Sequence, residues 1–264
     1  MFHLKAKSIG PLKQLLSAVS VLTDEVTLEM TPTGIHVRVM DPSRVAMVDA
    51  VWPKEIFEEY VCPEKIRVGV NLAELSKLLK RGAKDDSVEF EWSKDTGKFK
   101  VSIKNSSTSY SSAVSRCWTL PSLEPVEEEV PEPKLSFKTK VKMETSMFQQ
   151  VMEDVTTVSD QVKVSVNNEG QMQIIGQGDL MSAAITLTKD QGLLEVDGAE
   201  ELHVVSSNIF VTEIAKAVKP NSIMTLELAT DMPLKFTFSG FLEEPTENSR
   251  LVYYIAPRIE TDNK

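Results

Sequence analysis

Residues 23–34 read TDEVTLEMTPTG, and residues 159–170 read SDQVKVSVNNEG. Each string holds an acid, an alternating apolar and polar run, and a turn that ends on glycine. The shift that lays Asp24 on Asp160 also lays Val26 on Val162, Gly34 on Gly170, Val39 on Ile175 and Lys80 on Lys216. Upstream it lays Leu12, Leu15, Leu16 and Val19 on Phe148, Val151, Met152 and Val155. A register that holds without a gap from residue 12 to residue 80 means two domains of one fold in tandem.

Reading one copy therefore reads both. Leu12, Leu15, Leu16 and Val19 recur at i, i+3, i+4 and i+7, the spacing of a helix with one apolar face. Gly10 and Pro11 suit its start. The run VTLEMTPTGIHVRVM is an alternating hairpin, and Val45 to Trp52 reads as a further strand. Asn71 with Glu74 gives the capping pattern of a second helix, which buries Leu72, Leu75, Leu78 and Leu79 and stops at Gly82. Ser87 to Lys104 gives two strands around a turn at Asp95 to Gly97, and Tyr110 to Trp118 closes the domain. In the second copy a helix starts near Thr145 or Ser146, a hairpin turns at Asn167 to Gly170, and another helix runs from Ser206 and Ser207 to Pro220. Strands follow at Ile223 to Leu228, Leu234 to Ser239 and Leu251 to Ile255. The fold class is α+β, two similar domains, each an antiparallel sheet layer with two helices on one face. The expected boundaries are 1–117, a connector at 118–134, and 135–264.

The connector reads WTLPSLEPVEEEVPEPK from Trp118 to Lys134. Its prolines lack an amide donor and bar it from the middle of a sheet, and its glutamates repel one another. Leu120, Leu123, Val126 and Val130 interrupt the charge. They either pin the connector to a domain surface or offer apolar contacts to a partner.

Composition narrows the classes. The chain has 264 residues, an apolar fraction of 41% and a net charge of −10. That suits two packed cores, without a general basic coat. No apolar run is long enough for a membrane span, and the N-terminus MFHLKAKSIGPLK has no signal core, which favours an intracellular setting. Cys62 and Cys117 lack metal-site spacing and read as buried thiols. His3, His36 and His203 stand apart in sequence with no catalytic spacing, GQGDL at 176–180 has no lysine, and Asp85–Asp86 reads as a turn, so an enzyme is not expected.

Positive charge gathers on helix faces instead. Lys77, Lys80 and Arg81 fall on one stripe, and Lys84 follows the glycine. Lys216 and Lys219 sit on the matching helix, and Lys13 on the first. Such a stripe is either an ordinary solvated face or a surface for a polyanion. The helix around Phe148 to Val155 carries Gln149, Gln150, Glu153 and Asp154, and no cation.

Three strings carry a family resemblance. Val39-Met40-Asp41-Pro42-Ser43-Arg44-Val45, Gly69-Val70-Asn71-Leu72 with Lys77 to Arg81, and Tyr253-Tyr254-Ile255-Ala256-Pro257-Arg258-Ile259-Glu260 resemble the proliferating cell nuclear antigen (PCNA) sliding clamps, the archaeal members above all. The resemblance spans the chain. It implies a trimeric ring of six domains, helices inside and sheets outside, encircling duplex DNA without reading its sequence. It implies no catalysis, cofactor, metal or membrane. The expected location is cytoplasmic and nucleoid-associated, or nuclear in a eukaryote.

The same resemblance assigns sites. Lys13, Lys77, Lys80, Arg81, Lys84, Lys216 and Lys219 would face the DNA. A pocket for short partner peptides (the PIP motif) would use Met40, Val45, Ala46 and Met47, then Val126, Val130 and Pro131 of the connector, then Pro233, Tyr254, Ala256 and Pro257. The implied users are a polymerase, a clamp loader, a flap nuclease and a ligase. Subunits would join through Tyr110, Ala113, Val114 and Cys117 on one side and Leu180, Ala183 and Ile185 on the other. A second reading, an adaptor subunit that needs different partner chains, stays open.

Overall fold

The structure is a computed structural model that describes residues 1–105, 115–126, 130–198, 201–242 and 248–258. The chain divides into two compact units. The first gathers Met1–Val39, Asp49–Val130 and Leu242–Arg250, and the second Met40–Val48, Pro131–Phe241 and Leu251–Lys264.

In the first unit β1 (Phe2–Ala6) leads into α1 (Gly10–Ser20), followed by the hairpin β2 (Glu25–Thr31) and β3 (Gly34–Met40). Next come β4 (Ala46–Pro53), β5 (Glu59–Val61), β6 (Ile66–Asn71) and α2 (Leu72–Leu79). Then follow β7 (Ser87–Ser93), β8 (Lys98–Lys104) and β9 (Ser115–Pro121). One set of strands runs in the order β5-β1-β7-β8-β9, the other β4-β3-β2-β6. The pairing is antiparallel, with Leu4 opposite Phe90 and Val26 opposite Val70.

The second unit repeats the plan. It contains β10 (Thr139–Glu144), α3 (Thr145–Thr156), β11 (Gln161–Val166), β12 (Met172–Gln177) and β13 (Ser182–Leu187). It continues with β14 (Leu193–Asp197), β15 (Leu202–Ser207), α4 (Asn208–Ala217), β16 (Ile223–Leu228), β17 (Leu234–Ser239) and β18 (Arg250–Ile255). The strand orders are β14-β10-β16-β17-β18 and β13-β12-β11-β15. Each position in these orders matches the first unit under the shift that lays Asp24 on Asp160: Ile66–Asn71 falls on Leu202–Ser207, and Leu72 on Asn208. The repeat thus extends well past Lys80.

Local chemistry explains the elements. Pro11 sits at the first turn of α1, where its missing N–H costs nothing. Asn71 caps α2, its Oδ1 accepting from the Glu74 amide at 2.9 Å. Leu12, Leu15, Leu16 and Val19 of α1 and Leu72, Leu75 and Leu79 of α2 are buried, and the two helices pack together. Phe148, Val151, Met152 and Val155 do the same work on α3 against α4. Each such side chain contributes about 1.5–3 kcal/mol by leaving water. Gly34 has φ 148°, and a Cβ there would lie 2.3 Å from the Trp52 carbonyl oxygen, so only glycine fits this hairpin turn.

Several sequence expectations shift. The helix after Asn71 ends at Leu79 with Lys80 as its cap, so Arg81 lies beyond it. The acidic stretch does not start as a free connector, since Trp118 to Pro121 continue β9 beside β8. That position is an edge, where Pro121 leaves no ladder bond broken. Cys62 is buried as expected, but Cys117 is exposed, because it falls on the outward phase of β9. The short strands β5 and β14, of three and five residues, had no signal in the pattern.

Candidate functional site

The turn after α2 carries three of the seven predicted cations, Lys80, Arg81 and Lys84, and is held from three sides. Lys13 Nζ of α1 donates to the Gly82 carbonyl at 3.0 Å. Arg116 of β9 donates to the Arg81 carbonyl at 2.6 Å and lies 3.4 Å from Asp86 Oδ2. The same Asp86 oxygen accepts from the Ala83 amide at 2.9 Å, and Asp86 is buried, so the Asp85–Asp86 turn is an anchor. Lys80, Arg81 and Lys84 are exposed on this fixed turn. Lys77 is exposed as well, but its Nζ lies 2.6 Å from Glu74 Oε1.

In the second unit Lys216 is exposed and pairs with Glu213 at 3.2 Å, while Lys219 is half-buried. On α3, Gln150, Glu153 and Asp154 are exposed. Gln149 is not. Its amide donates to the Ala215 and Val218 carbonyls at 2.7 and 3.0 Å, which turns it toward α4. The helix surfaces of the two units therefore differ in charge although their backbones match.

Of the expected peptide-binding residues, the second unit brings several together. Asp41 organises the loop before β4. Its Oδ1 accepts from the amides of Val45 and Ala46 at 2.7 and 2.6 Å, and its Oδ2 from the Ser43 amide at 2.8 Å and the Ser43 hydroxyl. Burial pushes the Asp41 carboxyl up, but the Ala46, Ser43 and Val45 donors outweigh it and hold the group below the usual carboxylate range. Arg44, at φ 58°, makes the loop's tight turn. The Val45 carbonyl accepts from the Ala256 amide at 2.8 Å, which joins the loop to the segment after β18. Ala46 and Met47 are buried. Met40, Val45, Pro233, Tyr254, Ala256 and Pro257 are half-buried, and Pro131 is exposed.

Val126 and Val130 belong to the first unit, and their backbone is tied down. The Arg67 guanidinium donates to the Val126 carbonyl at 2.5 Å, Thr27 Oγ1 accepts from the Val126 amide at 2.9 Å, and Arg38 donates to the Val130 carbonyl at 3.4 Å. Further back, Leu123 bridges Gly69 through two backbone bonds of 2.8 and 3.2 Å. A Cβ on Gly69 would meet the Leu123 and Glu124 oxygens at 2.8 and 2.7 Å. The connector is thus tied at these points by its backbone rather than by buried apolar side chains. The Val126 side chain is 60% exposed.

Of the expected subunit-joining residues, Cys117, Ala183 and Ile185 lie on end strands. β9 ends one strand order and β13 another. Ala183 and Ile185 are half-buried on β13, and Leu180 just before it is 97% exposed. Tyr110, Ala113 and Val114 lie outside the described residues.

One cluster had no sequence signal. Asp49, 3% exposed, is 2.8 Å from His36 Nε2, 2.9 Å from Arg38 and 2.6 Å from Arg250. Burial raises its carboxyl, but these partners outweigh burial and bring it down to about 2. His36 is therefore not isolated, as its place in the sequence suggested. Two arginines and a histidine surround Asp49, an arrangement for holding strands together. His3, Glu89 and Glu91 offer ligand atoms within 4.8 Å of one another. Lys104 and Lys100 already neutralise the two carboxylates, at 2.7 and 2.8 Å.

The family model for the N-terminal domain of proliferating cell nuclear antigen matches residues 1–115, and that for its C-terminal domain matches residues 131–258. The chain belongs to the proliferating cell nuclear antigen family. The DNA polymerase sliding clamp of Nitrosopumilus maritimus is 30% identical over 98% of this chain and 99% of that protein. Among solved structures, PCNA of A. fulgidus bound to the C-terminal region of FEN-1 is 25% identical, with a TM-score of 0.85 over 99% of this chain and 100% of that one. A PCNA2–PCNA3 complex from Sulfolobus tokodaii matches at 27% identity and TM-score 0.83, over 97% of this chain and 99% of that one. The fold is the two-domain PCNA clamp fold, and a member of this family is a clamp rather than an enzyme. As for membranes, no helix among the described residues is long and apolar enough to cross one.

Proposed function

We propose that this chain is one subunit of a ring-shaped DNA clamp, a trimer that encircles duplex DNA and tethers a replicative polymerase and other replication and repair factors. One observation carries the reading. Two units of the same plan each present a helix pair, and Lys80 and Lys216 occupy the same exposed position on the two. A chain of two such units closes into six similar domains when three copies join at the free edges of β9 and β13. The relatives' name, DNA polymerase sliding clamp, supports it.

In this reading the seven cations from Lys13 to Lys219 line the surface turned toward DNA, and those that reach phosphates do so without reading bases, which allows sliding. The first domain is 1–117, carried on to Pro121 by the end of β9, the second is 135–264, and the connector lies between. Val45 and Ala256, with their neighbours Met40 to Met47, Pro233, Tyr254 and Pro257 and the connector's Val126, Val130 and Pro131, receive partner peptides of the PIP type. A clamp loader, a flap nuclease and a ligase would dock there too. The relative bound to the FEN-1 C-terminal region supports that use. Tethering raises the partner's local concentration at DNA without strong direct binding.

The test is retention on a linear duplex threaded from one end. A clamp resists a high-salt wash when both DNA ends are then blocked, and slides off when one is left open. Equal loss from both substrates overturns the reading.

A further inference from the structure

We propose that the DNA phosphates are gripped by the N-terminal unit alone, through Lys80 and Arg81, while the C-terminal unit supplies a wall with little attraction for DNA. This rests on the clamp reading above. The matched positions of the two units make the case. Where the first unit has Lys13, Lys77, Arg81 and Lys84, the second has Gln149, Glu213, Ala217 and Pro220. Where α1 has Ser17 and Ala18, α3 has Glu153 and Asp154, both exposed. Four differences run the other way. Glu74 falls on Phe210, Ala83 on Lys219, Asp85 on Asn221 and Asp86 on Ser222, but Glu74 is already bound to Lys77, and Asp86 is buried beside Arg116.

The remaining cations are not equivalent either. Lys216 faces Glu213 at 3.2 Å. Lys80 and Arg81 are exposed and are in no ion pair among the described residues. Their turn is also fixed in advance. Lys13 holds the Gly82 carbonyl, Arg116 holds that of Arg81, and Asp86 holds the Ala83 amide. In the second unit neutral groups fix the matching turn: Gln149 on the Val218 carbonyl, and Ser222 Oγ on that of Lys219 at 2.7 Å.

At physiological salt, charges further apart than about 8 Å are largely screened, so the local pattern outweighs the net charge of the chain. Each phosphate contact releases a counterion, and the slope of log affinity against log salt counts those contacts. Three gripping arcs separated by three non-gripping arcs would engage fewer phosphates than six, which lowers the friction of sliding.

The experiment measures binding of the purified protein to a fluorescent duplex across a salt series, with light scattering on every variant. Lys80→Ala with Arg81→Ala is expected to weaken binding about tenfold and to lower the salt slope by at least about 1. Lys216→Ala with Lys219→Ala is expected to change affinity less than about twofold, with the slope unchanged. Lys80→Gln alone, on an exposed side chain, serves if the first double variant misfolds. Equal losses from the two double variants, in rings of unchanged mass, overturn the inference and leave the clamp intact. A wild-type ring that binds no duplex in any salt overturns the clamp reading itself.

Discussion

Lys13 and Gly82 lie 69 positions apart in the chain, yet Lys13 Nζ sits 3.0 Å from the Gly82 carbonyl oxygen. In the second unit Gln149 takes the place of Lys13 and donates to the carbonyl of Val218, the residue matching Gly82. The same clasp thus joins the first helix to the end of the second in both units, once with a cation and once with an amide. In the first unit it satisfies a carbonyl of the turn that follows α2. In Lys13 the charge also complements the negative end of α2. Lys13 is therefore a structural residue first, and its ammonium is committed to the Gly82 carbonyl while that of Lys80 is exposed.

Lys13→Gln is expected to keep the clasp, since the second unit already uses that chemistry. Lys13→Ala leaves the Gly82 carbonyl unpaired and is expected to lower stability by about 1.5 kcal/mol. Urea denaturation of both variants checks this, and equal loss from both would show that the side chain acts through something other than the hydrogen bond.

Asp49 predicts a pH dependence. Its carboxyl titrates near 2 in the folded chain, against about 3.9 when unfolded. The unfolded state binds the proton more readily, so this contribution is fully present above pH ~4 and is lost as pH falls through ~2. The sum is roughly 2 kcal/mol. Asp49→Asn removes a buried counter-charge shared by Arg38 and Arg250 and is expected to cost about 3 kcal/mol at neutral pH. It should also flatten the acid limb of a stability curve measured by thermal unfolding.

Gly69 controls how the connector docks. Replacing it with valine puts a side chain where the Leu123 and Glu124 backbone now passes. Gly69→Val is expected to release the start of the connector and to speed its cleavage by a protease at least about fivefold, with the rest of the chain still folded. An unchanged cleavage rate would mean that Arg67 and Thr27 hold the connector alone.

The proposed peptide surface and the proposed DNA surface should separate under mutation. Tyr254→Ala with Val45→Ala is expected to cost about 1–4 kcal/mol per residue in binding of a PIP-type peptide, and to leave duplex binding unchanged. Lys77→Glu with Lys80→Glu should do the reverse. Calorimetry with the peptide and anisotropy with the duplex read the two, and equal damage to both functions by each variant would refute the division.

Much of this was legible because the fold is written twice. The repeated spacing of Leu12 to Val19 and Phe148 to Val155, the Asn71 cap and the two turns at Gly34 and Gly170 all carry local signals. What escaped was set by distant partners. Nothing near Gln149 in sequence says that its amide turns toward α4. Nothing near His36 announces Asp49 and Arg250. The three residues of β5 are too few for a period to show. Cys117 read as a buried thiol, but strand phase on an edge decides its exposure.

The mass of the purified chain in solution tests ring formation most directly. Light scattering at micromolar concentration should give three times the 29.4 kDa of one chain, unchanged on dilution through that range. A stable species at 29.4 kDa would contradict a self-assembling clamp.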